Sequence, residues 1–279
     1  MSSPTWFGPD PAPDPVPLRA AGWSRAGLRG TLLLLVLLAG ILVKLPLRGL
    51  EWLIWRRRRP FSPRVSQAIC RMGLRALGIR LQMRGRPLRG PGAMVANHGS
   101  WLDILALNAR CSVYFVAKSE VRDWPGIGAL ARLAGTVFIA RDRRAAPDQA
   151  RIFGERLALG HRLLFFPEGT SSDGLRVLPF KTSLFAAFLA EGVPADMRLQ
   201  AVTVTWHAPR GADPRFYAWW GDMALGPHLL QVLSARRQGR VEVTYHRPVL
   251  ASAFSDRKAL AAFLEAQVRD GHAPLRGCR

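Results

Sequence analysis

Short apolar runs alternate along most of this chain with stretches in which apolar positions recur every three or four residues. The runs Ile79 to Arg84, Ala93 to Ala96, Ser112 to Ala117, Thr136 to Ala140, Arg162 to Phe166, Leu199 to Trp206 and Val241 to Tyr245 have strand length and composition. Helical spacing appears near 101–109, 121–134, 145–159, 181–191, 222–237 and 254–269. This alternation predicts an α/β domain over residues 60–279, with no internal repeat. Pro167 closes one strand and Pro179 breaks the stretch after it, so 167–180 reads as a functional loop rather than an element.

The N-terminal fifth has another pattern. Residues 1–27 lack periodicity and crowd Pro4, Pro9, Pro11, Pro13, Pro15 and Pro17, as a disordered or loosely laid segment would. Thr31 to Val43 is then almost purely apolar and ends at Lys44. Such a run covers about 20 Å as a helix, against roughly 30 Å of bilayer hydrocarbon. Extending it from Leu28 to Leu47 spans that core only by taking in Arg29, Lys44 and Pro46. A cleaved signal peptide competes, because Arg19, Arg25 and Arg29 form a basic leader. No small-x-small site precedes Lys44 and Arg48, however, so 28–59 reads as a retained membrane anchor, either a short span or a hairpin in one leaflet. Trp52 and Trp55 beside Arg56 to Arg59 suit the headgroup level, with the guanidiniums on anionic lipid. A solvated basic linker or a nucleic-acid patch is the alternative. The positive flank places everything after Arg59 in the cytoplasm. Pro60 and Pro63 open an amphipathic helix, with Val65, Ile69, Met72 and Leu77 on one side and Arg64, Arg71 and Arg75 on another.

Charge narrows the partners. The 279 residues carry 40 basic and 19 acidic side chains, a net charge of +21, which favours an anionic partner: nucleic acid, acidic lipid or a phosphorylated substrate. Only Lys44, Lys118, Lys181 and Lys258 are lysines, and the Ala, Gly, Leu and Arg bias resembles that of a GC-rich genome, which weakens the charge argument. Cys70, Cys111 and Cys278 form no pair or ligand spacing, and the histidines do not cluster, so neither a disulfide framework nor a metal is expected.

Two polar stretches come directly after apolar runs, where open α/β sheets gather their sites: Asn97-His98-Gly99-Ser100-Trp101-Leu102-Asp103 and Phe166-Pro167-Glu168-Gly169-Thr170. A His with a nearby carboxylate can act as a general base, the carboxylate fixing the imidazole tautomer. Five residues on a regular helix turn through about 500°, so His98 and Asp103 meet only if the chain is irregular at His98 and helical afterwards. Gly99 permits that turn and Ser100 can cap the helix. Alone, Ser100-x-x-Asp103 could be a capping box and His98 a loop histidine. There is no G-x-S-x-G elbow and no Cys near a His, so a covalent intermediate has little support.

The pair H-x-x-x-x-D and F-P-E-G-T, in this order, resembles the glycerolipid acyltransferase family, especially its bacterial 1-acylglycerol-3-phosphate acyltransferases. Gly135 to Arg141 resembles a further block, G-x-x-F-I-x-R, and the likeness covers roughly residues 90 to 210. It implies a mixed central sheet flanked by helices behind an N-terminal hydrophobic membrane-anchor helix, in a bacterial inner membrane. It also implies an O-acyltransferase with His98 as base and Asp103 orienting it, and Arg141, Glu168 and Gly169 at the acceptor's phosphate end. There Glu168 would orient Arg141 or a Lys while the Gly169 and Thr170 amides face the anion. Lys118 resembles a basic residue of the family, and its alternative is an exposed strand-end lysine. The co-substrate would be acyl-CoA or acyl carrier protein, with no cofactor or metal and no nucleic acid; nothing specifies an oligomeric state. Lysophosphatidate is the first acceptor expected and lyso-ornithine lipid the alternative; a non-catalytic basic membrane-binding protein is the third reading. Ala201 stands where the family's last block usually has Pro, a departure that bears on acceptor or acyl preference. Trp219-Trp220-Gly221-Asp222-Met223 could line an acyl tunnel or simply fill a core.

Overall fold

The computed structural model describes residues 5–13, 18–139, 146–190, 193–194 and 196–272. In chain order the elements are α1 (Ala20–Trp55), α2 (Ser62–Leu77), β1 (Arg80–Arg84), β2 (Gly92–Ala96), α3 (Asp103–Asn108), β3 (Tyr114–Lys118), α4 (Ile127–Ala134), β4 (Val137–Ile139), α5 (Ala146–Ala158), β5 (Arg162–Phe165), β6 (Arg198–His207), α6 (Leu225–Ser234), β7 (Arg240–Tyr245), β8 (Val249–Leu250) and α7 (Arg257–His272). The sheet order is β1-β7-β6-β2-β5-β3-β4, with β8 on β6. It is mixed: β6 runs antiparallel to β7 and β8, and the remaining pairs are parallel.

Every residue of β2 is buried because strands flank it on both sides and helices cover both faces. Its period of two divides the core. Met94 and Ala96 face the layer holding Leu74 and Leu77 of α2, Leu102 just before α3 and Leu107 of α3, whereas Ala93 and Val95 face Phe153 of α5 and Leu260 and Leu264 of α7. The predicted strands all form. The stretch 121–134 resolves into a 3₁₀ turn at Ser119–Asp123 and then α4, and 181–191 is a 3₁₀ segment, Ser183–Phe188. The short β8 had no sequence signal, since two residues carry no period.

The N-terminal region differs most from expectation. The apolar run does not end at Lys44; α1 continues through Pro46 to Trp55, 36 residues or about 54 Å of helix. Lys44 can sit mid-helix because it turns inward, buried, and donates to Ser66 Oγ on α2. Glu51 is also buried, and one carboxylate oxygen accepts the N–H groups of Phe61 (2.7 Å) and Ser62 (2.9 Å), satisfying donors that the start of α2 leaves open. Gly40 allows the close approach, since a Cβ there would lie 2.3 Å from Ile69 Cδ1. The opposite face leaves Leu28, Leu35, Leu42, Leu45, Leu53 and Ile54 exposed. This is the one helix among the described residues long and apolar enough to cross a membrane, and it supports membrane association. Part of the segment expected to be disordered or loosely laid on a surface lies against the fold. Trp220 Nε1 donates to Phe7 O (3.2 Å), Arg215 donates to Pro11 O (3.0 Å), and Arg176 lies over the Trp6 ring.

Candidate active site

Strands β2, β5, β3 and β4 lie side by side and parallel, so their C-terminal ends bring together the His98 loop, the Phe166–Thr170 loop and Lys118 at one edge of the sheet. Arg141 lies outside the described residues; β4 ends at Ile139, in register with Lys118. Lys118 is half-buried rather than fully exposed.

The His98 loop is pinned at each residue. Asn97 extends the sheet beyond β2 with two bonds to Val204 of β6: its Nδ2 donates to Val204 O and its Oδ1 accepts from Val204 N, both at 2.8 Å. His98 N donates to Glu168 Oε1 (2.9 Å), and its carbonyl accepts Ser172 N (2.9 Å). Gly99 O accepts Trp219 N (2.8 Å). A Cβ on Gly99 would stand 3.1 Å from Gly174 Cα, so the loop and the 170s segment can approach this closely because residue 99 has no side chain.

The His98 ring stacks on Phe166, with centroids 4.1 Å apart and planes 13° from parallel, and its Nδ1 is 2.9 Å from Asp103 Oδ2. That oxygen also accepts Gly99 N (2.9 Å) and Ser100 N (3.0 Å), and Oδ1 accepts Trp206 Nε1 at 2.7 Å. An oxygen already accepting two N–H groups takes a third from Nδ1–H, which leaves the lone pair on Nε2, at the side of the ring away from Asp103. Asp103 is fully buried, whereas the His98 side chain is 21% exposed. The capping reading is half right: Asp103 reaches back to Ser100 N, but Ser100 Oγ accepts Leu102 N, and α3 begins only at Asp103. Capping and tautomer control are therefore performed by one carboxylate.

Among the described residues, Glu168 bonds to backbone groups of two loops. Its Oε1 accepts His98 N and its Oε2 accepts Leu178 N (3.0 Å), so it binds the two loops together through their backbones. Burial pushes its carboxyl up to about 8; the two N–H bonds and Arg269 pull against this, while Asp103 adds to it. A folded-state value raised above 4.5 gives stability that is full below 4.5 and is lost as pH rises through 8. Wild type should therefore lose thermal stability relative to Glu168→Gln between about pH 5 and pH 8. Melts of both proteins across that range check this, and a gap constant with pH would refute it. Gly169 has φ +76° and its N–H donates to Phe166 O (3.1 Å), which closes the turn after β5. The Thr170 hydroxyl lies 3.5 Å from Ser171 O. Trp219 borders the site through the Gly99 bond, and Trp220 next to it bonds to the N-terminal segment.

The sequence assigns no role to Trp206, nor to Asn97 and Phe166, which open the two polar stretches. Trp206 lies 103 positions from Asp103, and no local pattern links them.

An imidazole at a parallel sheet edge, oriented by a buried carboxylate, has the geometry of a general base. Residues 80–196 match the Acyltransferase family profile. The chain is 51% identical over 271 residues to a lyso-ornithine lipid O-acyltransferase of Rhodobacter capsulatus, covering 97% of this chain and 98% of that one. It is 34% identical over 213 residues to a 1-acyl-sn-glycerol-3-phosphate acyltransferase of Neisseria gonorrhoeae, covering 73% and 80%. The crystal structure of the 1-acyl-sn-glycerophosphate acyltransferase PlsC from Thermotoga maritima shares the fold, with a TM-score of 0.64 at 21% identity over 92% of this chain and 99% of that one. The chain belongs to the glycerolipid and lysolipid acyltransferase family, and it is an enzyme of acyl transfer.

Proposed function

We propose that this acyltransferase is a lyso-ornithine lipid O-acyltransferase. The observation that carries the reading is the near full-length 51% identity to the Rhodobacter capsulatus enzyme, against 34% over a shorter stretch for the lysophosphatidate enzyme. This reverses the order of acceptors expected from motifs alone, which the two groups share. Ala201 in place of the usual Pro fits the same departure.

In this reading His98 Nε2 takes the proton from the acceptor's free hydroxyl as that oxygen attacks the thioester carbonyl of acyl-CoA or acyl carrier protein. The C–S bond then breaks, and the proton passes from His98 to the departing thiolate. Asp103 holds Nδ1–H and steadies the imidazolium. Lys118 and Arg141 take the acceptor's polar end. A guanidinium fork that suits phosphate equally suits the ornithine carboxylate. Glu168, Gly169 and Thr170 shape the loop between them. The catalytic domain faces the cytoplasm, on the side of Arg56 to Arg59.

Purified full-length enzyme supplied with one acyl donor and a panel of lysolipids tests the acceptor, with products read by mass. Ornithine lipid should form at least tenfold faster than phosphatidate. The reverse ratio would restore lysophosphatidate as the substrate.

A further inference from the structure

A polar cavity lies at the opposite end of the sheet from His98, where α1 turns into α2. Its volume is about 440 Å³, and its walls come from Arg58, Arg59 and Arg64, from Tyr114 at the start of β3, and from His161 and Arg162 at the start of β5. Arginines dominate it; Glu51, whose charge acts on Arg59, accepts two backbone N–H groups on one oxygen, and its other oxygen is buried without a hydrogen-bond partner.

Several of its polar atoms are buried with no hydrogen-bond partner. They are Arg59 Nη1, Tyr114 Oη, and both ring nitrogens of His161. Tyr114 is 5% exposed and His161 6%. Buried polar atoms left without partners are costly, so a cluster of them around a polar cavity marks a place where a ligand completes the bonding. The rings are held in place rather than loose. Tyr114 and His161 stack with centroids 4.1 Å apart, and Arg156 lies over the Tyr114 ring at 5.4 Å. Burial, with Arg156 and Arg59, pushes the His161 imidazole down to about 4. The neutral ring keeps one N–H to donate and leaves the positive charge to the arginines.

We propose that this cavity is a binding site for a phosphate group, held by Arg58, Arg59 and Arg64 with Tyr114 and His161 donating from its floor. Guanidinium forks match phosphate oxygens in pairs, and a phenol and an imidazole N–H add donors without adding charge. The exposed Trp52 and Trp55 and the apolar face of α1 place the mouth beside a lipid surface, so one source of the phosphate is a phospholipid headgroup. A soluble phosphate is the other source.

The test uses the full-length protein in neutral detergent micelles, with thermal unfolding monitored as probe is added, because a ligand that binds the folded state raises the midpoint. Inorganic phosphate should raise it along a saturating curve that chloride at matched ionic strength does not reproduce. Arg58 and Arg64 are exposed, so Arg58→Gln with Arg64→Gln leaves the core intact and should raise the half-saturating phosphate concentration at least fivefold. His161→Phe keeps the stack with Tyr114 while removing both nitrogens, and should weaken binding in the same direction. If phosphatidylglycerol mixed into the micelles removes the response to inorganic phosphate, and phosphatidylcholine does not, the site takes a lipid headgroup. If neither lipid competes, it takes a soluble phosphate; either result upholds the site. A response that never saturates, or one that the Arg58/Arg64 and His161 variants share unchanged with wild type, would overturn it and leave a water-filled cavity.

Discussion

Replacing His98 with Ala should cut acyl transfer by roughly a hundred- to ten-thousandfold while the thermal midpoint stays within a few degrees of wild type. The two halves of this expectation have separate causes. The ring carries the one lone pair that Asp103 leaves available for a proton, so its loss removes the base. The loop does not depend on the ring for its position. His98 N bonds to Glu168, His98 O to Ser172 N, and Asn97 to Val204, and all of these are backbone or neighbouring contacts that alanine retains. Turnover numbers and melting curves on the same preparation check both halves. Wild-type turnover in the variant would remove His98 from the chemistry.

Asp103→Asn should behave differently, losing both rate and stability. The carboxylate accepts from one side chain on each oxygen and from two backbone N–H groups besides. An amide offers a single acceptor oxygen, so its NH₂ must face either Trp206 Nε1–H or the cluster of His98, Gly99 and Ser100. Two donors pointed at each other in a site with no exposure cost about 1–3 kcal/mol, or several degrees in midpoint. The His98 tautomer is no longer fixed, and turnover should fall by about a thousandfold or more. If Oδ1 carries the stability cost, Trp206→Phe should reproduce much of the loss in midpoint and little of the loss in rate. Comparing the three variants separates orientation from folding; an Asn variant with an unchanged midpoint would contradict the bonding scheme.

The sheet and its two helical layers were legible because their signals are local. A buried strand such as Ala93 to Ala96 announces itself by an unbroken apolar run, and α2 by its amphipathic pattern, although of the apolar side read from sequence Leu77 is buried while Val65 is half-buried and Met72 stays exposed. His98 and Asp103 were legible for a related reason, since a short irregular turn at one glycine suffices to bring them together. What escaped depends on contacts across the chain. The bond from Trp206 to Asp103, the stacking of Phe166 under His98 and the two backbone N–H groups on Glu168 each join segments that no spacing relates. Glu168 is instructive, because its two bonds to backbone N–H groups add a structural role that no spacing announces. Lys44 misled. A charged residue after an apolar run looks like the end of a membrane segment, until a second helix with Ser66 supplies a place to hide it.

The union of α1 with α2 has a mechanical consequence. Because α1 packs along α2, and α2 packs on α3, which begins at Asp103, the hydrophobic helix is joined to the reacting end of the sheet by rigid contacts rather than by a tether. An enzyme on a flexible leash can sample many heights above a lipid surface; this one holds a set altitude. Cutting the chain at Arg59 would uncover Ile69 and the inner flank of α2, so the fragment would lose part of its core along with its hold on lipid. The anchor thus behaves as a foundation, and a soluble version would have to be made by repainting the outer leucines of α1 rather than by removing the helix.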